Sequence, residues 1–257
     1  MLTKRHGAIL QVLQVRGSLS VAALSQELGV SGETVRRDIR ALVDAGAVVR
    51  VHGAVGLAGQ IGEAPFERRM RENAAAKRAI ARAMADSIAD GDSLMLDTGT
   101  TTSFLARELL GHRRLTVVTN SSDIARTLAT VNGNRVFMAG GELRGDSGAA
   151  LGASALDFIR PFSVQHAIIS AGAVDASGIM DFDLHEAEFA RAVLACGQRR
   201  VVVTDASKFG RRGFIRVASF DAVDALVTDA PPPDDVAAAL ASASVQLSLA
   251  APGDNGQ

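Results

Sequence analysis

Seven short β-rich runs alternate with helical stretches from residue 93 onward, and this rhythm restricts the fold more than any other feature. The runs fall at residues 93–97, 115–119, 135–139, 167–170, 200–204, 222–228 and 245–249, with helices expected at 103–110, 124–129 and 186–194. Strands separated by helices cannot pair as hairpins, so the α/β body is expected to be a largely parallel sheet covered on both faces. Ligands of such sheets sit in the crevice beyond the carboxyl ends of the strands. Here those ends run into polar turns: Asp97-Thr-Gly-Thr-Thr-Thr102, Thr119-Asn-Ser-Ser122, Gly140-Gly141 and Asp205-Ala-Ser-Lys208.

The first turn is the most suggestive chemically. Gly99 allows a tight bend, and Thr100, Thr101 and Thr102 place hydroxyls beside the free N–H groups of the following helix, an anion cradle suited to phosphate. It is not a Walker loop, because the lysine-bearing spacing is missing. Lys208 can add a positive charge, Asn120 an amide, and Asp97, Asp183, His185 and Glu186 can hydrogen-bond hydroxyls. Gly140 and Gly141 complete the candidate set. A small phosphorylated polyol or sugar satisfies this inventory. Each turn alone is more often ordinary cap chemistry; four on one sheet edge carry the expectation together.

The first sixty residues have a different pattern. Ser20 can cap a helix with Val21, Leu24 and Leu28 on one side, and Gly29 follows it where a positive φ is expected. Ser31 can cap a second helix whose Val35, Ile39, Leu42 and Val43 recur at core-facing spacing. Arg36, Arg37 and Arg40 lie off that stripe. A third helix at about 3–15 precedes them, and the β-branched stretch 47–54 reads as a wing. This is a winged helix-turn-helix, with the helix-turn-helix at about 20–39, and its expected partner is double-stranded DNA. Ser31, Thr34, Arg36, Arg37 and Arg40 are the candidate contacts, supplemented on the wing by Arg50 and His52. The plainer alternative is a helical hairpin with a solvated basic face.

Charge distribution supports the division. The net charge is −1, but residues 1–60 carry seven Lys/Arg against four Asp/Glu, a surplus of three, which leaves the remainder at −4. DNA affinity is thereby concentrated in the head. Domains are expected at 1–57 (head), 58–73 (linker) and 74–251 (body), with a disordered tail at 252–257. No apolar run approaches the roughly 18 residues of a membrane span, and Lys4, Arg5, His6 and Gln11 interrupt any signal-peptide core, so a cytoplasmic protein is expected. One cysteine, Cys196, excludes an intrachain disulfide or multi-cysteine metal site and reads as a small buried hydrophobe. No cofactor, metal or membrane partner is expected. The lack of Trp and Tyr argues against a single-strand binder built on stacked bases.

The segments Ser31-Gly-Glu-Thr-Val-Arg-Arg-Asp-Ile39, Arg50-Val-His-Gly53, Asp97-Thr-Gly-Thr-Thr101, Val118-Thr-Asn120, Ala139-Gly-Gly-Glu-Leu-Arg144 and Ser207-Lys-Phe-Gly210 resemble, in order and spacing, the DeoR family of bacterial repressors. The resemblance implies a winged head, a sensor domain similar to sugar-phosphate isomerases, release from the operator by a phosphorylated metabolite, and a homo-oligomer. Asp181-Phe-Asp-Leu-His-Glu186, Asp205-Ala-Ser-Lys-Phe-Gly-Arg211, Thr228-Asp-Ala-Pro-Pro-Pro233 and Gln246-Leu-x-Leu249 look most like members governing glycerol use, which implies glycerol 3-phosphate as effector; a phosphorylated hexose or aminosugar is the alternative. Two positions depart from the pattern. Ala54 follows Gly53 where the family wing often has a second glycine, and Ala190 precedes Arg191 where the sensor helix usually has a Lys-Arg pair. A reading of another class is a sugar-phosphate isomerase with an appended head, Asp97 or Glu186 abstracting a proton and Lys208 stabilising the enediolate.

Overall fold

The computed structural model describes residues 4–16, 19–51, 54–57 and 63–251. The expectations for His52 and for the tail at 252–257 lie outside these residues. The head contains α1 (Lys4–Arg16), β1 (Leu19–Ser20), α2 (Val21–Leu28), α3 (Gly32–Asp44), β2 (Val48–Val51) and β3 (Ala54–Leu57). The caps form as their chemistry dictates. The Ser20 hydroxyl accepts from Ala23 N at 3.1 Å, the Ser31 hydroxyl accepts from Thr34 N at 3.2 Å, and Gly29 takes φ 63° to end α2.

Ile9, Leu13, Leu24, Val35, Ile39, Leu42, Val48 and Val55 close into one head core. Val43 packs against it only in part. The wing is larger than the stretch 47–54 suggests: β3 pairs with β2 on one side and with β1 on the other, all antiparallel. Ala54–Leu57 is short and glycine-containing, so its strand character comes from pairing, not from its own pattern.

The segment expected as linker carries α4 (Phe66–Arg71), after which α5 (Ala74–Ala85) opens the body. Strands β4 (Ser93–Leu96), β5 (Thr116–Thr119) and β6 (Arg135–Met138) alternate with α6 (Thr100–Glu108) and α7 (Ser122–Leu128). Then follow α8 (Ala153–Ile159), β7 (Val164–Ser170), β8 (Ala173–Asp175), β9 (Gly178–Asp181), α9 (Leu184–Ala195), β10 (Gly197–Val203), β11 (Ile215–Ala218), β12 (Ala225–Thr228), α10 (Asp234–Ser242) and β13 (Gln246–Leu249). The main sheet has the order β13-β12-β10-β7-β4-β5-β6, and every pairing in it is parallel.

Alternation along the strands feeds two cores. Leu94, Leu96, Val117, Ile168, Val201 and Val203 face α5, α6 and α7, while Met95, Val118, Ile169 and Val202 face α8, α9 and α10. Cys196 is half-buried against the second core, its thiol 3.5 Å from the Ile159 carbonyl. Strands β8, β9 and β11 form a small antiparallel sheet that the sequence reading passes over. Among the described residues no helix is long and apolar enough to cross a membrane.

Candidate functional site

Strand order reverses direction at the β4–β7 pair: β5 and β6 lie to one side, β10, β12 and β13 to the other. The chain must leave a crevice at such a switch point. A cavity lies there, lined by residues that include Asp97, Thr98, Asn120, Ser170, Asp181 and Glu186, and closed by Glu63 and Arg69. Its free volume is only about 10 Å³, no more than one water requires.

Buried polar atoms in this wall lack partners. Thr98 Oγ1 and Asn120 Oδ1 have no hydrogen bond among the described residues, although Asn120 Nδ2 donates to the Ala150 carbonyl at 3.0 Å. Orphaned buried polar groups cost free energy unless a ligand or water meets them. Thr100 and Thr101 form the buried first turn of α6, whose N–H groups have no intrahelical acceptor, but their side chains are not part of the cavity wall, which Thr98 reaches instead.

Two parts of the expected cradle work differently. The Thr102 hydroxyl donates to the carbonyls of Asp97 and Gly99, at 2.9 and 3.0 Å, and so braces the loop instead of facing a ligand. Gly99 makes no tight bend; its backbone is extended, and glycine is needed because a Cβ would lie 2.0 Å from Ser170 Oγ. The absence of a Cβ lets the chain after β4 pass close to Ser170 at the end of β7.

Asp97 accepts from Ser170 N at 3.1 Å. Burial drives its carboxyl well above the ordinary range, against that hydrogen bond, and the charges of Asp181 and Glu186 add to the effect. Asp181 and Glu186 share the cavity. Burial, then repulsion from neighbouring carboxylates (Glu63 for Asp181, Asp181 for Glu186), pushes both upward, even though Arg144 Nη1 lies 2.7 Å from Glu186 Oε1. The pair therefore holds a proton above the usual carboxylate range. The folded state binds that proton more tightly than the unfolded chain. Its contribution is complete below the unfolded carboxylate range, near pH ~4, and is lost as pH rises through the raised value. Glu186→Gln is expected to flatten the fall in stability with rising pH by up to about 1.4 kcal/mol per pH unit. Urea-unfolding midpoints measured across that window check this; parallel slopes for parent and variant would refute it.

Asp183 caps α9, accepting from His185 N at 2.9 Å and Glu186 N at 3.2 Å, and also takes Arg144 Nη2 at 3.2 Å. These hydrogen bonds hold its carboxyl below the ordinary range against desolvation. It lines an adjoining cleft, not the cavity. His185 faces a separate outer groove with Glu142, Leu143 and Gly152. Gly140 and Gly141 are exposed and outside the cavity wall; Gly141 has φ 145°, so its glycine serves the loop that carries Arg144.

Lys208 reaches the site, but its ammonium is already bound to Glu63 Oε1. Glu63 Oε2 in turn meets Arg69 Nη1 at 2.5 Å. Glu63, Arg69, Arg144 and Asp181 carry the electrostatics and were missed from sequence. The one available signal was helical: Glu67 with Arg71 and Arg68 with Glu72 make i,i+4 pairs along α4.

In the head, Arg36, Arg37 and Arg40 project from α3 and are exposed, as is Ser31, while Thr34 is half-buried with its hydroxyl 2.9 Å from that of Ser31. Arg36 lies 3.4 Å from Glu33; Arg37 and Arg40 make no ion pair among the described residues. Between them Asp38 turns inward, where Arg5 Nη2 at 3.0 Å and His6 Nε2 at 3.4 Å hold it against α1. Arg50 is exposed on β2, the edge strand of the wing. With Val49 it lines a cleft of about 220 Å³ against Asp146, Asp181 and Asp183 of the body.

Comparison with known proteins follows the same division. Residues 5–60 match the DeoR-like helix-turn-helix domain, and residues 72–230 match the DeoR C-terminal sensor domain. The chain is 36% identical over 248 residues to the glycerol-3-phosphate regulon repressor of Escherichia coli K12, covering 96% of this chain and 98% of that one. It is 33% identical over 246 residues to the HTH-type transcriptional repressor CsqR of the same organism, covering 95% and 94%. Both relatives are named as repressors, not enzymes. Ribose 5-phosphate isomerase A from Neisseria gonorrhoeae aligns with a TM-score of 0.39 at 16% identity over 53% of each chain. With a basic recognition helix on its head and a switch-point cavity in its body, the chain belongs to the DeoR family of transcriptional repressors.

Proposed function

We propose that this repressor controls genes of glycerol and glycerol-3-phosphate metabolism and leaves its operator when a phosphorylated polyol, with sn-glycerol 3-phosphate favoured, enters the switch-point cavity. The observation that carries the reading is the cavity wall itself: unpartnered Thr98 Oγ1 and Asn120 Oδ1 beside the N-terminus of α6, with protonatable carboxyls opposite. The Thr98 hydroxyl and the N–H groups at the start of α6 can donate to a phosphate, while the acceptor Asn120 Oδ1 and the carboxyls suit the hydroxyl groups of a polyol. Similarity across nearly the whole length of the glycerol-3-phosphate regulon repressor supports the choice of polyol. A symmetric homo-oligomer in the cytoplasm would set two α3 helices in successive major grooves, roughly 34–36 Å apart.

Thermal unfolding with sn-glycerol 3-phosphate, fructose 1-phosphate, ribose 5-phosphate and free glycerol tests the effector. A ligand at about 100 times its dissociation constant adds roughly 2.7 kcal/mol. Stabilisation by glycerol 3-phosphate is expected and none by free glycerol; stabilisation by another sugar phosphate alone would replace the polyol. Thr101→Ala is expected to bind operator like the parent and to need at least about tenfold more effector for release, some 1.4 kcal/mol. Titrated release from a labelled operator measures it, and an unchanged midpoint would remove Thr101 from the site.

A further inference from the structure

The site that should receive an anion already contains one. Glu63 precedes α4 and is not part of the sensor sheet, yet its side chain is only 13% exposed and reaches the cavity mouth. One carboxylate oxygen takes the Lys208 ammonium and the other the Arg69 guanidinium. Arg211 adds to the field, and the three cations together hold the Glu63 carboxyl down at about 2 in spite of its burial. Arg144, in the adjoining cleft, is occupied by Asp183 and Glu186. Glu63 thus uses the cations that a phosphate would use, and the remaining void cannot hold a three-carbon phosphate.

The segment that delivers Glu63 is anchored at both ends. Arg69, whose guanidinium meets Glu63, also donates to the Ala64 carbonyl at 2.9 Å and packs over the Phe66 ring at 5.6 Å. Its neighbour Arg68 donates to the carbonyls of Ala45, at 3.1 Å, and Gly46 in the turn that leaves α3. Behind α4, Lys77 donates to the carbonyls of Arg69 and Glu72, both at 2.6 Å, and closes the helix end. Asn73, at φ 53°, ties the chain to Asp205 and Ser207, both at 3.0 Å, one residue before Lys208. The contact at the pocket and the contact at the turn after α3 are thus made by adjacent residues of α4.

We infer that Glu63 is a built-in substitute for the effector's phosphate: a phosphate monoester displaces its carboxylate from Lys208 and Arg69, frees the strap that carries α4, and so alters the hold of Arg68 on the turn after α3. This rests on the reading that the effector enters the switch-point cavity. No covalent step is involved. The exchange replaces a carboxylate of charge −1 by a phosphate of up to about −2 on the same cations, and its reach to the head follows from differential binding to the two arrangements of the strap.

The test uses the full chain and Glu63→Gln, with Glu67→Gln, an exposed neighbour, as control. Calorimetric titration with inorganic phosphate and with sn-glycerol 3-phosphate is paired with operator binding in their absence. Glu63→Gln is expected to bind either phosphate at least tenfold more tightly than the parent and the effector-free operator at least tenfold more weakly, while Glu67→Gln matches the parent. Hydrogen exchange of the parent chain gives a readout independent of the variant's folding: α4 amides should exchange faster with saturating sn-glycerol 3-phosphate. If the parent binds glycerol 3-phosphate but Glu63→Gln gains no affinity, or α4 protection stays constant, the internal-anion proposal fails and the effector reading stands. If no phosphate binds parent or variant, both fail.

Discussion

Arg37→Ala combined with Arg40→Ala is expected to abolish useful operator affinity while leaving the fold intact. Both guanidinium groups are exposed on α3, and neither has an ion-pair partner among the described residues, so the full charge of each is available to DNA. Two charge-assisted hydrogen bonds at about 1.5–3 kcal/mol each amount to roughly 10²–10⁴ in affinity. Each lost phosphate contact also lowers the slope of log affinity against log salt by about one. Arg36 differs: with Glu33 at 3.4 Å, part of its charge is screened locally, and Arg36→Ala is expected to cost less than Arg37→Ala. Fluorescence anisotropy on a mapped operator over a series of salt concentrations gives both quantities. Parent affinity and parent slope in the double variant would mean that α3 does not read DNA.

Ile39→Ala produces the other large effect, by a different route. Ile39 is wholly buried on α3, among the aliphatic side chains that form the core of the head. Removing it leaves a cavity worth about 2–5 kcal/mol, and a domain of roughly sixty residues has little stability in reserve. At roughly 4–8 °C per kcal/mol for such a domain, the head transition falls by about 10 °C or more. The sensor cores share none of these side chains. Its unfolding and its response to phosphate should persist after DNA binding has gone. Circular dichroism melts with and without sn-glycerol 3-phosphate separate the two transitions; an undisturbed melt would mean that α3 is not seated on this core.

The two halves differed in how openly the sequence displayed them. Helices α2 and α3 were legible because their information is local: Ser20, Gly29 and Ser31 are caps whose hydrogen bonds and φ angles depend on the next few residues. The seven parallel strands were legible for a similar reason, as short β-rich runs between helices. Strands β8, β9 and β11 were not: no helix separates β8 from β9, and the three are held by antiparallel pairing to one another. The pocket was half legible. Asp97 and Asn120 end up in its wall because strand ends must gather at a switch point, and Glu186 joins them from the first turn of α9. Glu63 and Arg69 could not be found in this way, since they arrive from outside the sheet on a segment whose path depends on tertiary contacts. Lys208 was singled out from sequence as a cation, but its partner in the structure is Glu63, a carboxylate 145 residues earlier in the chain, which no local pattern reveals.

The grip of Arg68 on the turn after α3 sets a rule for anyone recombining regulators of this kind. Gly46 has φ 63°, and a Cβ there would lie 2.0 Å from Arg68 Nη1, so the docking surface on the head is bare backbone and requires glycine. A chimaera joining this sensor to a foreign head between residues 57 and 63 keeps α4 but receives whatever turn the new head supplies. Only donors with a glycine at that turn and two free carbonyls would inherit a working clutch; the others would bind DNA with no ear for metabolism.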